Sequence, residues 1–233
     1  MRSIFGRMLT LAGLCVLAAC AKPLPPAPPL LTPAQIPPMP IPPLGAAVGM
    51  YIPPVGVDGA RKTPNSGLAQ EETIWNFRSA FNVAALNCLA PDQRRLADDY
   101  NRYIAIHAAA LGKANQAIDG KFRQRFPGAN GLRVRDTQMT DIYNFFALPP
   151  VTSQFCAKMM VYSQQVQTIP SSELYPFSYR ALIEIDKLFL DFYDDYDNYR
   201  ARLAAWQALY ARGRVTVEPN AAPPALPYGA PLN

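Results

Sequence analysis

An all-α fold, a bundle of about four helices held between proline-rich ends, follows from three features of the chain. Apolar residues recur at alternating steps of three and four from Glu71 to Tyr210, which is the period of a helix with one buried face. Strand-like alternation is almost absent; the one candidate, Arg214 to Val217, is too short to count. The prolines, 25 in 233 residues, gather outside the periodic region and at its breaks. No repeat of fixed period is present.

In chain order, the first nineteen residues have a basic start, Arg2 and Arg7, and an apolar run from Met8 to Ala19. That run is about twelve residues long, against roughly twenty needed to span a bilayer, so a cleaved signal is expected rather than a membrane helix. It ends in Leu17-Ala18-Ala19-Cys20. This motif resembles the lipobox of bacterial lipoproteins. The resemblance implies that residues 1–19 are removed, that Cys20 is acylated (diacylglycerol and palmitate), and that the mature chain is held in a membrane leaflet facing the periplasm. Ala21 and Lys22 follow the cysteine where an Asp would imply retention in the inner membrane, so the outer membrane is favoured. The helical stretch from Trp75 to Cys88 is similar to that of uncharacterised proteobacterial lipoproteins, and this brings no activity with it.

Residues 20–70 read as the lipidated cysteine followed by a tether and a loop. Residues 21–43 include Pro23, Pro25, Pro26, Pro28 and Pro29 and end in Pro42-Pro43, a composition that makes neither helix nor sheet and favours polyproline II. At ~3.1 Å per residue such a spacer reaches up to roughly 70 Å. Residues 44–70 lack periodicity and are read as a loop packed in part through Met50, Tyr51 and Ile52.

The helical domain is expected over 71–213. Ile74, Phe77, Phe81, Ala84 and Cys88 form the stripe of a first helix, with Glu71 and Glu72 at its positive end. Pro91 opens a second helix running to about residue 125, with Leu96, Tyr100, Tyr103, His107, Leu111 and Ile118 on one side. A reversal is expected over 126–135, then a short helix capped by Asp136 or Thr137 and stopped at Pro149-Pro150. Spacing resumes from Phe155 to Val166, and the two pieces read as one broken arm. The longest signal, Leu182 to Tyr210, predicts a last helix on which every other packs, with Gly213 as its C-cap. Residues 214–233 read as a proline-rich disordered tail.

Charge and composition exclude several functions. The net charge of +5 falls to +3 without Arg2 and Arg7, too mild for nucleic-acid binding. Cys15 is expected to leave with the signal and Cys20 to carry the lipid, leaving Cys88 and Cys156 as a disulfide in an oxidising compartment. His107 is the sole histidine; metal or haem binding through it, with Met139, Met159 and Met160 as soft partners, stands against a core residue bonded to a tyrosine or carbonyl. Asp191, Asp194, Asp195 and Asp197 suggest either glycan-directed acid/base chemistry or a solvated face balanced by Lys187, Arg200 and Arg202, and the second is favoured because four carboxylates within two turns do not face each other across a cleft. Lys121, Arg123, Arg125, Arg133 and Arg135, with no acid among them, form a basic knob suited to anionic headgroups or to cell-wall carboxylates. No catalytic, cofactor or metal motif stands out. The expected role is that of an envelope protein with a structural or interaction function, bound to the membrane through its lipid and to an envelope protein or cell-wall partner; a cell-wall glycan enzyme is the alternative.

Overall fold

The computed structural model describes residues 36–128 and 130–210. The expected lipobox with Cys20, the expected signal segment, Gly213 and the expected tail from 214 lie outside the described residues. Among the described residues there are six α-helices, α1 Gln70–Asn87, α2 Leu96–Ile106, α3 Ala108–Arg125, α4 Asn130–Phe146, α5 Thr152–Gln165 and α6 Leu174–Tyr210, so the fold is all-α. Among the described residues the extended backbone pairs only once, between Val55 and Arg61.

The first helix forms as its sequence suggests. Ala69 has no side chain with which to cap, and Glu72 supplies the missing contact by accepting from the Ala69 backbone N–H at 2.8 Å. Its burial goes further than one stripe. Ile74, Phe77, Phe81 and Ala84 are buried, and so are Thr73, Asn76, Ser79, Ala80 and Val83 on the other sides. From Thr73 to Ala90 the only charged residue is Arg78. A helix with so little charge is covered on most of its sides, and between Thr73 and Asn87 only Leu86, Asn87 and the half-buried Trp75, Arg78, Asn82 and Ala85 meet solvent. α1 packs on α2, α3, α4, α5 and α6. The expectation that the last helix is the common partner is therefore corrected: α6 packs on α1 and α5 and, through Phe189, on α4, and α1 is the centre.

The expected second helix is divided. After a turn over 91–95, α2 and α3 meet at His107, whose φ of −103° and ψ of 18° leave the helical region. The bend lets α2 lie on α5 while α3 lies on α4, with α1 against both. A single straight rod would meet only one of those partners. The reversal after α3 is also shorter than expected, because α4 starts at Asn130. Gly128 turns the chain with φ +76°. Gly131 lets the two helices close, since a Cβ there would stand 2.9 Å from the carbonyl oxygens of both Phe122 and Phe126. Thr137 is thus not a cap; its hydroxyl donates to the Arg133 carbonyl one turn back.

The chain does break at Pro149-Pro150, in a 3₁₀ turn Pro149–Val151. The pieces on either side are separate helices rather than one arm, α4 lying on α1 and α3, α5 on α1, α2 and α6. Pro176 sits in the first turn of α6, where its missing N–H costs no helical bond, so α6 starts eight residues before the Leu182 stripe. At 37 residues it is roughly 55 Å long. Burial along it ends at Tyr199, and the stripe continues through Leu203, Trp206 and Tyr210 on half-buried positions.

Aromatic rings fill the core. Phe77 meets Phe177 edge-on at 5.4 Å and Tyr103 at 5.9 Å, and Phe145 stacks on Phe189 at 4.2 Å. Cys88 and Cys156 form a disulfide, their Cα atoms 5.6 Å apart, tying the end of α1 to α5.

Replacing both cysteines with serine opens a loop with a sequence separation of 68 and should lower stability by about 4 kcal/mol in urea unfolding, the chain-entropy value for that length. In the same assay Phe77→Ala should cost roughly 3 to 5 kcal/mol by opening a cavity against α2 and α6, whereas Leu209→Ala, exposed on the projecting end of α6, should change stability by less than about 0.5 kcal/mol.

Candidate functional site

Residues 46–69 form a strap along α6, attached by polar side chains to backbone and carboxylate groups. Ala46 and Ile52 enter the core beside it. The Tyr196 hydroxyl donates to the Ala47 carbonyl at 2.6 Å and accepts from the Met50 N–H at 2.9 Å. One turn on, Arg200 donates to the Met50 carbonyl at 2.5 Å while lying over the Tyr196 ring. These bonds satisfy backbone groups that a segment without secondary structure leaves open.

The acidic run belongs to this strap. Arg61, only 4% exposed, donates to Asp197 at 2.7 Å, to Asp194 at 3.2 Å and to the Pro53 carbonyl. Its guanidinium also faces the Tyr193 ring at 5.7 Å. Lys187 binds Asp191 and Arg200 binds Asp197, two of the expected balancing contacts. The partner not foreseen is Arg61, more than 130 residues away in sequence. A second carboxylate, Asp186, was not singled out by sequence either. It accepts from the Thr63 hydroxyl and from the Asn65 amide, both at 2.6 Å, and Asn76 on α1 binds Asn65 in turn. Burial raises the Asp186 carboxyl above its ordinary value, against these two hydrogen bonds, which lower it. Its available signal was position, since Asp186 follows Ile185 on the buried side of a helix.

His107 is fully buried. One ring nitrogen lies 2.9 Å from the Val166 carbonyl and the other 2.9 Å from the Ser171 hydroxyl, so the ring pins the α2–α3 bend to the connection between α5 and α6. Both nitrogens are engaged, which is the core arrangement rather than that of a ligand. Met159 is buried in the core and Met139 takes the Trp75 indole N–H at 3.1 Å. Among the described residues no group of three or more His, Cys, Asp or Glu side chains is placed to hold a metal ion.

The five basic residues separate into two sets. Lys121 lies 3.7 Å from Glu71 and 4.0 Å from Glu72, and Arg135 binds Asp119 at 2.7 Å and Asn115 at 2.5 Å. Arg123, Arg125 and Arg133 remain exposed at the α3–α4 turn, Arg125 over the Phe126 ring. A shallow, mainly apolar pocket of about 300 Å³ lies elsewhere, between the strap at Leu44 to Ala47 and Met50 and the Pro149-Pro150 turn. Leu44 holds a left-handed φ of +51° at its rim. No helix among the described residues is long and apolar enough to cross a membrane.

No protein-family model matches this chain, and neither the curated proteins nor the solved structures yield a relative. The site is therefore read from its own chemistry.

Asp186→Ala leaves the Thr63 and Asn65 donors unsatisfied and should destabilise the fold by about 2 kcal/mol, with hydrogen exchange rising first in residues 61–69. Asp186→Asn keeps one acceptor for Asn65 and gives Thr63 a donor to accept, so it should fall within about 1 kcal/mol of the parent at neutral pH. A carboxyl raised on folding takes up a proton as the chain folds. The Asp186 contribution to stability should accordingly grow as pH falls from neutral through its raised folded value and level off below the unfolded one. Parent minus Asp186→Asn stability, measured by denaturant melts from pH 7 to pH 4, reads this term, and a contribution that shrinks on acidification would be the opposite sign.

Proposed function

We propose that this chain is a lipid-anchored protein of the bacterial envelope, facing the periplasm, outer membrane favoured, with a structural or interaction role. The observation that carries the reading is the N-terminal order of charge, apolar run and Leu17-Ala18-Ala19-Cys20. Acylation at Cys20 supplies more than one chain, and two or more make anchoring stable where one does not. The prolines from Pro23 to Pro43 then serve as a stiff spacer between leaflet and body.

The helical body supports an interaction role. The Cys88–Cys156 disulfide suits an oxidising compartment, where it constrains the unfolded chain. Asp191, Asp194 and Asp197 hold Lys187, Arg61 and Arg200, which gives them structural work in place of acid/base chemistry on a glycan. His107 bridges two segments of the fold. The partner expected of such a body is another envelope protein or the cell wall.

Growth with an alkyne-bearing palmitate should label the protein, and the mature form should enter the detergent phase on partitioning. Cys20→Ala should abolish the label and move the protein to the aqueous phase. A Cys20→Ala variant that stays with membranes through an intact signal segment would overturn the anchor.

A further inference from the structure

We propose that the tip of the α3–α4 hairpin is a second membrane contact, an anionic-lipid docking surface built from Arg123, Arg125 and Arg133 with Leu132 and Val134. It rests on the envelope reading above only for the membrane's being within reach; the surface itself follows from charge and exposure.

The first observation is the sorting of the basic residues. Lys121 and Arg135, nearer the body, are neutralised by Glu71, Glu72 and Asp119. At the tip, Arg123 and Arg133 make no ion pair among the described residues, and no acid occurs between Lys121 and Arg135. Arg123 and Arg125 suit the negative end of α3, which accounts for part of the charge. Arg133 has no such account. It stands in the first turn of α4, where the helix dipole disfavours a cation and where no acidic residue compensates. A negative headgroup placed there would be attracted by the dipole and the three guanidinium groups together.

The second observation is apolar. Leu132 is 44% exposed and Val134 37% exposed, one on either side of Arg133. Consecutive helical residues point about 100° apart, so this turn meets solvent over a wide arc, its buried point being Gly131. Phe126, half-buried under Arg125, adds aromatic surface at the same end. Arg123 and Arg133, exposed and without an ion pair among the described residues, beside short aliphatic side chains on the same turn match an interface of phosphate over acyl chain. A cell-wall peptide carboxylate would use the cations and leave Leu132 and Val134 without a role.

The chain from residue 20 onward with Cys20→Ser, made without signal or lipid, keeps the whole helical body and provides the probe. It should float with vesicles of phosphatidylglycerol and phosphatidylcholine at 0.1 M salt, and much less with pure phosphatidylcholine or at 0.5 M salt. The triple change Arg123→Gln, Arg125→Gln, Arg133→Gln should lower the partition coefficient roughly a hundredfold, each charge near an anionic surface being worth about fivefold. Arg94→Gln, Arg102→Gln, Arg180→Gln removes equal charge from other exposed positions and should change it little. Leu132→Trp should show a blue-shifted, lipid-quenchable emission on the anionic vesicles. Circular dichroism checks that each variant is folded. Equal loss in both triples, no flotation of the parent, or unquenched emission from Trp at 132 would overturn the proposal, as would a tip triple that floats normally but no longer sediments with isolated cell-wall sacculi. Since the probe carries no lipid, a failed anchor at Cys20 leaves these outcomes unaffected, and the two readings fail separately.

Discussion

The constraint on which the rest of the structure depends is the covering of α1. Between Thr73 and Ala90 the chain carries one charge, on Arg78, and even that guanidinium lies over the Trp75 ring at 4.7 Å and donates to the Tyr143 hydroxyl. Such a helix offers water one narrow side, along Trp75, Arg78, Asn82 and Leu86, and five others close on the rest. Small residues at Ser79, Ala80 and Ala84 let the neighbours approach, and Phe77 and Phe81 reach between them. Two features that look like irregularities follow from this geometry. The bend at His107 allows α2 and α3 to follow the surface of α1 while each takes a different outer partner. The break at Pro149-Pro150 does the same for α4 and α5. The disulfide then fixes the end of the covered helix to one of its covers.

Much of this was written in the apolar period. The stripe from Ile74 to Cys88, the stop at Pro149-Pro150 and the final helix from Leu182 to Tyr210 follow from spacing and breakers, and the pairing of Cys88 with Cys156 from their being the two cysteines left to the body. The centre of the bundle did not, because a regular stripe of aromatics on α6 marks one buried face whereas the near absence of charge on α1 marks several. Periodicity measures how sharply burial is divided around a helix. It is weakest for the helix buried most. The early start of α4 was hidden for another reason: Gly128, Asn130 and Gly131 together signal a turn, but Gly131 serves the close approach of two helices rather than the turn itself.

The strap was legible as an absence of period and, in the apolar run Met50 to Ile52, as a loop packed in part, which Ile52 in the core and Met50 against it bear out. Its attachment uses side chains that pair across more than a hundred residues, Arg61 with Asp194 and Asp197, Thr63 and Asn65 with Asp186, Tyr196 with Ala47 and Met50. Nothing local distinguishes these from ordinary polar residues of a loop and a helix. The same applies to His107, for which a sequence offers only the choice between a ligand and a satisfied core group; the Val166 carbonyl and Ser171 hydroxyl decide it. Arg61 is a buried cation facing exposed carboxylates, so its desolvation is offset in part by the Pro53 carbonyl and by the Tyr193 ring. Lysine offers neither the planar fork nor the stacking surface that this position uses.

Net charge conceals how the ionic groups are distributed. The chain's mild positive excess invites no strong inference, yet its acids and bases are segregated by role. On α6, Asp191, Asp194 and Asp197 are matched within 3.3 Å by Lys187, Arg61 and Arg200, which leaves Asp195 as the exposed acid of that run without an ion pair among the described residues. At the base of the α3–α4 hairpin the same matching occurs through Asp119, Glu71 and Glu72. The excess is left at the tip. Since screening limits exposed charges to about 10 Å at 0.1 M salt, what an approaching surface meets there is the local cluster and not the molecular total. At the start of α4, Arg133 opposes the helix dipole and makes no ion pair among the described residues, so its cost to the fold is met by no neighbouring charge there and its field is open to whatever approaches the turn.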